Sequence, residues 1–393
     1  MNMKRVLSLL LALVLVLSLV ACSNGGKETG KETVKETGTE TGKETGKETG
    51  AEAGKMELDD NSLYLITDLG TIDDKSFNQG SFEGLEQFAK EAGVKANYLR
   101  PAGEGKQIYK QAIDQAIAAG AKIVVTPGYL FEEAVGQAQS EHPEIKFIAV
   151  DFEPKISKTE VKIAENTTAV LYKEEQSGFL AGYAAVKDGY TKLGFMGGVA
   201  VPAVIKFGFG FIAGANHAAE ELGTKVEVKY NYTGSFEAKP EIQTMASSWF
   251  QEGTEVIFSC GGGIGSSVLK AAQDNKAVMI GVDVDQKDMG QEVITSAMKN
   301  LQGSVYLATK EAVEGQFKGG QAQVHGVETE GVQISEDFSR FKTFTKEQYD
   351  EIYKKLVDNV DDVTDNIPND ISNANPESFA DKMGATTIKY IEN

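Results

Sequence analysis

Three carboxylates and three phenylalanines stand where a sheet protein presents side chains to a guest. Asp68, Asp151 and Asp283 come within two residues of the short apolar runs Leu63-Tyr64-Leu65-Ile66, Lys146 to Val150 and Val278 to Val282. Phe77, Phe207 and Phe236 lie in loops or helix starts beyond such runs. An ionised carboxylate accepts two hydroxyl hydrogen bonds, a match to a vicinal diol such as ribose. A flat aromatic face suits a base or a sugar ring. Glycines gather at the same places, as Gly197-Gly198, Gly234 and Gly261-Gly262-Gly263, and let backbone approach closely. These groups make an inventory for binding rather than for catalysis.

Signals for reaction chemistry are weak. His142 precedes a proline, and His217 falls in a helical stretch. No histidine pair has metal-ligand spacing. No Gly-x-Ser-x-Gly turn occurs, and Gly261 to Gly263 is not followed by Gly-Lys-Ser/Thr, so a phosphate loop is not expected. Cys260, inside Val256-Ile257-Phe258-Ser259-Cys260, reads as a buried, inert thiol. The expectation is a binder with no catalytic residue, no metal and no cofactor. The surviving enzymatic alternative is a nucleoside hydrolase built on aspartates.

The elements that position these residues alternate regularly. Apolar runs at Leu63 to Ile66, Lys122 to Thr126, Lys146 to Val150, Lys192 to Met196, Val226 to Tyr232, Val256 to Ser259 and Val278 to Val282 read as strands. Helical stretches stand between them, at Phe77 to Ala92, Glu174 to Ala185, Phe209 to Glu221 and Ser266 to Asn275. Short apolar runs separated by helices indicate an α/β protein with parallel sheets covered on both faces. One run of units ends near Asp151 and another begins near Lys192, which gives two doubly wound lobes with a cleft between them. In such sheets ligands sit beyond the carboxyl ends of the strands. The first lobe is expected over about 59–168 plus 291–325, the second over about 169–290 plus 326–393. Phe344 to Val360 reads as a packing helix, followed by a tail on the second lobe. Asp73 and Asp74 read as helix caps, and Asp285 as a loop-orienting residue.

The ends and the composition bound the setting. Lys4 and Arg5 precede an apolar run from Val6 to Ala21, which together read as a secretory signal over 1–21. Residues 22–58 form a Gly-Lys-Glu-Thr-rich tether with too little apolar surface to fold. About 30 flexible residues span roughly 30 Å. An uncleaved membrane anchor is the other reading of the start. The chain carries 58 acidic and 39 basic residues, a net charge of −19, which argues against a nucleic-acid polymer as partner. The remaining body, 59–393, has one cysteine and hence no internal disulfide.

Four segments carry a resemblance. Leu19-Val20-Ala21-Cys22 resembles a lipobox, with Cys22 as the lipidated residue. Asp73-Asp74-Lys75-Ser76-Phe77-Asn78-Gln79, Gly194-Phe195-Met196-Gly197-Gly198, and Gly281-Val282-Asp283-Val284-Asp285-Gln286 with Thr295-Ser296-Ala297-Met298-Lys299 are similar to the basic membrane protein family. These are ABC-transporter solute-binding lipoproteins, several of them purine nucleoside receptors, and the resemblance covers roughly residues 60–330. It implies a type I periplasmic-binding-protein fold and a lipid-anchored body on the extracytoplasmic face of the cell membrane. It also implies delivery of inosine, guanosine or adenosine to an ABC permease. Asp68 and Asn78 would then contact the ligand and Phe77 would stack on the base. Asp151 and Asp283 would hold the ribose, and Lys299 would add a polar contact. Phe207 and Phe236 both remain candidates for the second stacking face, with Phe207 favoured because it follows the Gly197-Gly198 turn. A sugar ligand, or a signalling receptor of the same fold, is the alternative.

Overall fold

The computed structural model describes residues Gly54–Glu392. The expected signal, the expected lipidation site at Cys22 and most of the expected tether lie outside the described residues.

Two sheets account for the body. In chain order the elements begin β1 (Leu63–Ile66), α1 (Phe77–Ala92), β2 (Ala96–Leu99), α2 (Lys106–Ala118), β3 (Ile123–Pro127), α3 (Glu132–Glu141), β4 (Lys146–Val150) and β5 (Thr167–Tyr172). There follow α4 (Glu174–Lys187), β6 (Lys192–Gly197), α5 (Pro202–Leu222), β7 (Val226–Tyr232), α6 (Pro240–Gln251), β8 (Val256–Cys260), α7 (Ile264–Asn275), β9 (Val278–Asp283) and β10 (Val293–Lys299). The chain closes with α8 (Leu301–Val313), β11 (Gln321–His325), β12 (Val332–Ile334), α9 (Lys346–Val357) and β13 (Thr386–Tyr390).

The first sheet has the order β11-β5-β4-β3-β1-β2 and the second β12-β10-β9-β8-β6-β7-β13. Every pairing is parallel except β10 with β12. The core of each sheet repeats one order: β2-β1-β3-β4-β5 in the first matches β7-β6-β8-β9-β10 in the second. Strand order reverses between β1 and β3, and again between β6 and β8, which is where doubly wound sheets open a crevice for a ligand.

Side-chain alternation explains the layers. Leu63 and Leu65 of β1 pack with Leu85, Phe88 and Ala89 of α1, while Tyr64 and Ile66 face Ile113 of α2 and Ala134 of α3. In the second sheet Met196, Ile257 and Met279 meet Trp249 of α6 and Val268 of α7. Leu193, Phe195 and Phe258 pack on the opposite face, with α4 and α5. Successive side chains of a strand point to opposite faces, so wholly apolar strands need cover on both.

Among the described residues the chain crosses between sheets three times, and two crossings differ from expectation. Strand β5 runs to Tyr172 within the first sheet, so the first crossing follows 172 rather than 168. Strand β10 pairs with β9, so the second follows Lys299 rather than 290. The third falls between β11 and β12, after His325. The C-terminal stretch is more than a helix and tail, because β13 pairs along β7 and finishes the second sheet.

Helices α4 and α5 interlock through glycines. A Cβ on Gly178 or Gly182 would stand 2.1 or 2.0 Å from the carbonyl oxygen of Phe207 or Phe211. One on Gly210 or Gly214 would stand 2.0 or 1.9 Å from that of Glu175 or Phe179. The backbones therefore touch, and any side chain larger than hydrogen forces the helices apart. Gly214→Ala should destabilise the body by about 1–3 kcal/mol, the usual cost of overpacking. Urea unfolding measures it, and an unchanged midpoint would show that the helices separate freely.

Candidate functional site

The carboxyl ends of both sheets open onto one cavity. Its unfilled space, mouth included, is about 680 Å3, and its wall contains Asp68, Phe77, Asn78, Asp151, Phe207, Phe236, Asp283 and Lys299. All eight residues singled out from the sequence are thus brought together. Asp74, Tyr129, Leu130, Val204 and Gly262 complete much of the remainder.

Asp151 and Asp283 hold equivalent places in the two lobes. Asp151 follows β4 and Asp283 ends β9, the fourth strands of the matching orders. Both backbones are left-handed, with φ of 67° and 68°. Aspartate is among the few residues other than glycine that visit this region readily. The turn aims both carboxylates into the cavity from opposite sides.

Lys299 joins them. It ends β10, and its side chain is 2% exposed. Its ammonium contacts Asp151 and lies 3.5 Å from Asp283 Oδ1 and 3.7 Å from Glu174 Oε1. The same nitrogen stands 4.8 Å from the centre of the Phe77 ring and 5.1 Å from that of Phe207, favourable positions for a cation over an aromatic face. Burial alone would lower the lysine pKa. Asp151, Asp283 and Glu174 more than offset it and hold the ammonium above the usual lysine range. Burial pushes the Asp151 carboxyl up, and Lys299 pulls it part of the way back.

The loop after β1 supplies the other polar end. Asp68 Oδ1 accepts from the Gly70 N–H at 2.8 Å and from Asn78 Nδ2 at 2.8 Å. Asn78 Nδ2 also donates to Asp74 Oδ2 at 2.9 Å, and Asn78 Oδ1 accepts from the Asp68 N–H at 3.1 Å. Both amide hydrogens of Asn78 are therefore used within the loop, so it orients Asp68 and Asp74. Asp74 caps α1 as expected, accepting from the N–H groups of Ser76, Asn78 and Gln79. It also lines the cavity, a second role hidden behind the first. Asp285 accepts from the Lys287 N–H and the Ser335 hydroxyl, in keeping with a loop-orienting residue.

The aromatic walls differ in kind. Phe77 opens α1 and is half-buried. Phe207 is fully buried and sits in the second turn of α5, because that helix starts at Pro202 rather than beside Phe207. Phe236 is half-buried at the turn after β7. A Cβ on Gly198 would stand 2.4 Å from the Phe236 ring and one on Gly261 3.1 Å, so these glycines make room for it. Cys260 lines the cavity, and burial pushes its thiol well above the ordinary value.

Contacts cross the cleft directly. Ser76 Oγ donates to Asp283 Oδ2 at 2.5 Å, and Gln286 Nε2 donates to the Lys75 carbonyl at 2.8 Å. With the Lys299–Asp151 pair they hold the two sheets' carboxyl ends together.

Two doubly wound lobes, three crossings and a cavity lined by carboxylates and phenyl rings are the architecture of a two-lobed solute-binding protein. The chain belongs to the Bmp family, described as ABC transporter substrate-binding protein PnrA-like, whose pattern matches residues 62–370. Such proteins bind a small molecule for an ABC permease and are not enzymes. The ABC transporter nucleoside-binding protein BmpA of Lactococcus lactis is 27% identical over 318 residues, 76% of this chain and 86% of that protein. Basic membrane protein B of Borreliella burgdorferi is 31% identical over 251 residues, 62% of this chain and 72% of that protein. The solute-binding protein of an ABC transporter system from Aeropyrum pernix K1 shares the fold, with a TM-score of 0.66 at 23% identity. That match covers 82% of this chain and 97% of that one. Among the described residues no helix is long and apolar enough to cross a membrane.

Burial pushes the Asp68 carboxyl up to about 6, against the hydrogen bonds from Asn78 and Gly70 that lower it. A native pKa above the unfolded one means that the folded chain binds more protons in between. The contribution of Asp68 to stability is thus full below about pH 4 and lost as pH rises toward 6. Asp68→Asn should flatten that decline. Urea midpoints taken from pH 4 to 7 report it, and equal slopes in both proteins would contradict the assignment.

Proposed function

We propose that this protein captures a purine nucleoside between its lobes and delivers it to an ABC importer. The observation that carries the reading is the state of Asp151. Its Oδ1 is buried at the cavity and accepts no hydrogen bond from any described residue. A buried acceptor without a donor costs about 1–3 kcal/mol, which a ligand hydroxyl would recover. Asp283 offers a second carboxylate in the opposite lobe, so the two acids can share the ribose diol. Phe77 with Phe207 or Phe236 then supplies flat faces for the base, and Asp68 meets its polar edge. The name of the Lactococcus lactis relative, a nucleoside-binding protein, supports the same choice.

Binding proceeds by population shift in this reading. Ligand that touches Asp151 and Asp283 favours the closed arrangement, because only there are both sets of contacts made. The clustered carboxylates disfavour a phosphate, so nucleosides should bind and their monophosphates should not. Asp283→Ala removes a ligand contact and the Ser76 bond across the cleft. It should weaken inosine binding by about 10–100-fold in calorimetry, the worth of a charge-assisted hydrogen bond. Unchanged inosine affinity would refute the site, and thermal stabilisation by a hexose instead of a nucleoside would refute the ligand.

We also propose that Cys22 carries the lipid and that the tether holds the body on the extracytoplasmic face of the membrane. One acyl chain anchors only marginally, so more than one is required. Cys22→Ser should release the body from the membrane fraction of the expressing cell, as judged by fractionation. Retention of that variant in membranes would favour an uncleaved anchor.

A further inference from the structure

Glu174 is not part of the cavity wall, yet it is nearly as buried as Lys299. Its side chain is 3% exposed. It is the first residue of α4, just past the first crossing between the lobes. An acid at this position has an ordinary explanation, since carboxylates favour the positive end of a helix. Glu175 stands beside it in the same first turn and supplies that effect as well. What sets Glu174 apart is where its two oxygens lie. Oε1 is 3.7 Å from the Lys299 ammonium and Oε2 is 3.3 Å from the Lys206 ammonium.

We propose that Glu174 is a positioning residue for ligand binding, holding the Lys299 ammonium at the junction of the lobes while Lys206 holds Glu174 from α5. A lysine head is a compact charge on a flexible four-carbon stem, so its place is set by its partners. Asp151 and Asp283 both draw it toward the cavity. Left to those two, the ammonium would satisfy the carboxylates that the ligand hydroxyls need. Glu174, which does not line the cavity, offers the ammonium a third carboxylate at 3.7 Å. A buried carboxylate is itself unstable without a cation. Lys206 provides one, and it immediately precedes the cavity residue Phe207. The ammonium of Lys206 is held above the usual lysine range, chiefly by Glu174 and against the effect of burial. The chain of charges Asp151–Lys299–Glu174–Lys206 therefore runs from the first lobe, through the end of β10 and the start of α4, into α5.

The inference rests on Lys299 belonging to the nucleoside site, and a double-mutant cycle separates the two claims. Inosine affinity is measured by calorimetry for the wild-type body and for Glu174→Gln, Lys299→Met and the double variant, with thermal unfolding to verify folding. Glu174→Gln should weaken binding about tenfold in the wild type and add almost nothing in the Lys299→Met background, because coupled residues are non-additive. Lys206→Met should act in the same direction and likewise lose its effect without Lys299. It keeps the test available if Glu174→Gln folds poorly. If Lys299→Met weakens binding but neither Glu174→Gln nor Lys206→Met does, the positioning role is overturned and the site stands. Losses that simply multiply in the double variants would also overturn it, since they would mark a structural effect. An unchanged affinity in Lys299→Met would overturn the reading of Lys299 as a site residue, and the role of Glu174 with it.

Discussion

One buried ammonium decides how the lobes meet. Lys299 draws carboxylates from three distant parts of the chain, Asp151 after β4, Glu174 at the start of α4 and Asp283 at the end of β9. None of these charges is tolerable alone in a protein interior, since unpaired ions cost several kcal/mol to bury. Together they are mutually supporting, and the geometry that supports them brings the carboxyl ends of both sheets to one place. With two ammoniums, Lys299 and Lys206, against Asp151, Asp283 and Glu174, the cluster also keeps a negative bias. That bias suits a neutral, hydroxyl-rich guest and opposes an anionic one.

The repeated strand order gives the two lobes matched tools. Asp151 and Asp283 hold equivalent corners and share the same left-handed backbone. A non-glycine residue held there costs of order 1 kcal/mol or more and persists where surroundings enforce it. The differences between lobes are equally informative. The first places a polar, internally bonded loop after β1, while the second places glycines after β6 and β8 against the Phe236 ring. Each lobe thus offers an acid and a flat ring, and the first adds a bonded polar loop while the second adds close backbone.

Much of this was legible in the sequence, for identifiable reasons. Helix α1 spans Phe77–Ala92, the limits expected for it, and ends at Gly93, which is left-handed. The buried strands β4 and β7 have the limits their apolar runs indicate. Strands β2 and β11 went unread because they are short and partly exposed, so their composition carries no run of apolar residues. The crossings after Tyr172 and Lys299 were displaced because β5 and β10 have no local mark of the sheet they join; only pairing decides. Phe207 was read as a helix-opening residue because Pro202, which starts the helix, was passed over. At the site, Asp68, Asp151 and Asp283 were visible as strand-end acids. Glu174 was invisible, since acids in the first turn of a helix are commonly placed there by the helix dipole. A lysine at 299 looks like a surface charge until three carboxylates from elsewhere surround it.

The threading of the chain has a consequence for how the molecule is made. The first sheet is complete only when β11, at Gln321–His325, takes its place beside β5. The second is complete only when β13, at Thr386–Tyr390, lies along β7. Neither lobe corresponds to a continuous stretch that could finish folding while the remainder is still being synthesised, although domains commonly fold in that order. Strand β13 is an edge strand, so the second sheet stays unfinished until residues 386–390 are available. Each lobe therefore stays incomplete until a strand from far along the sequence reaches it.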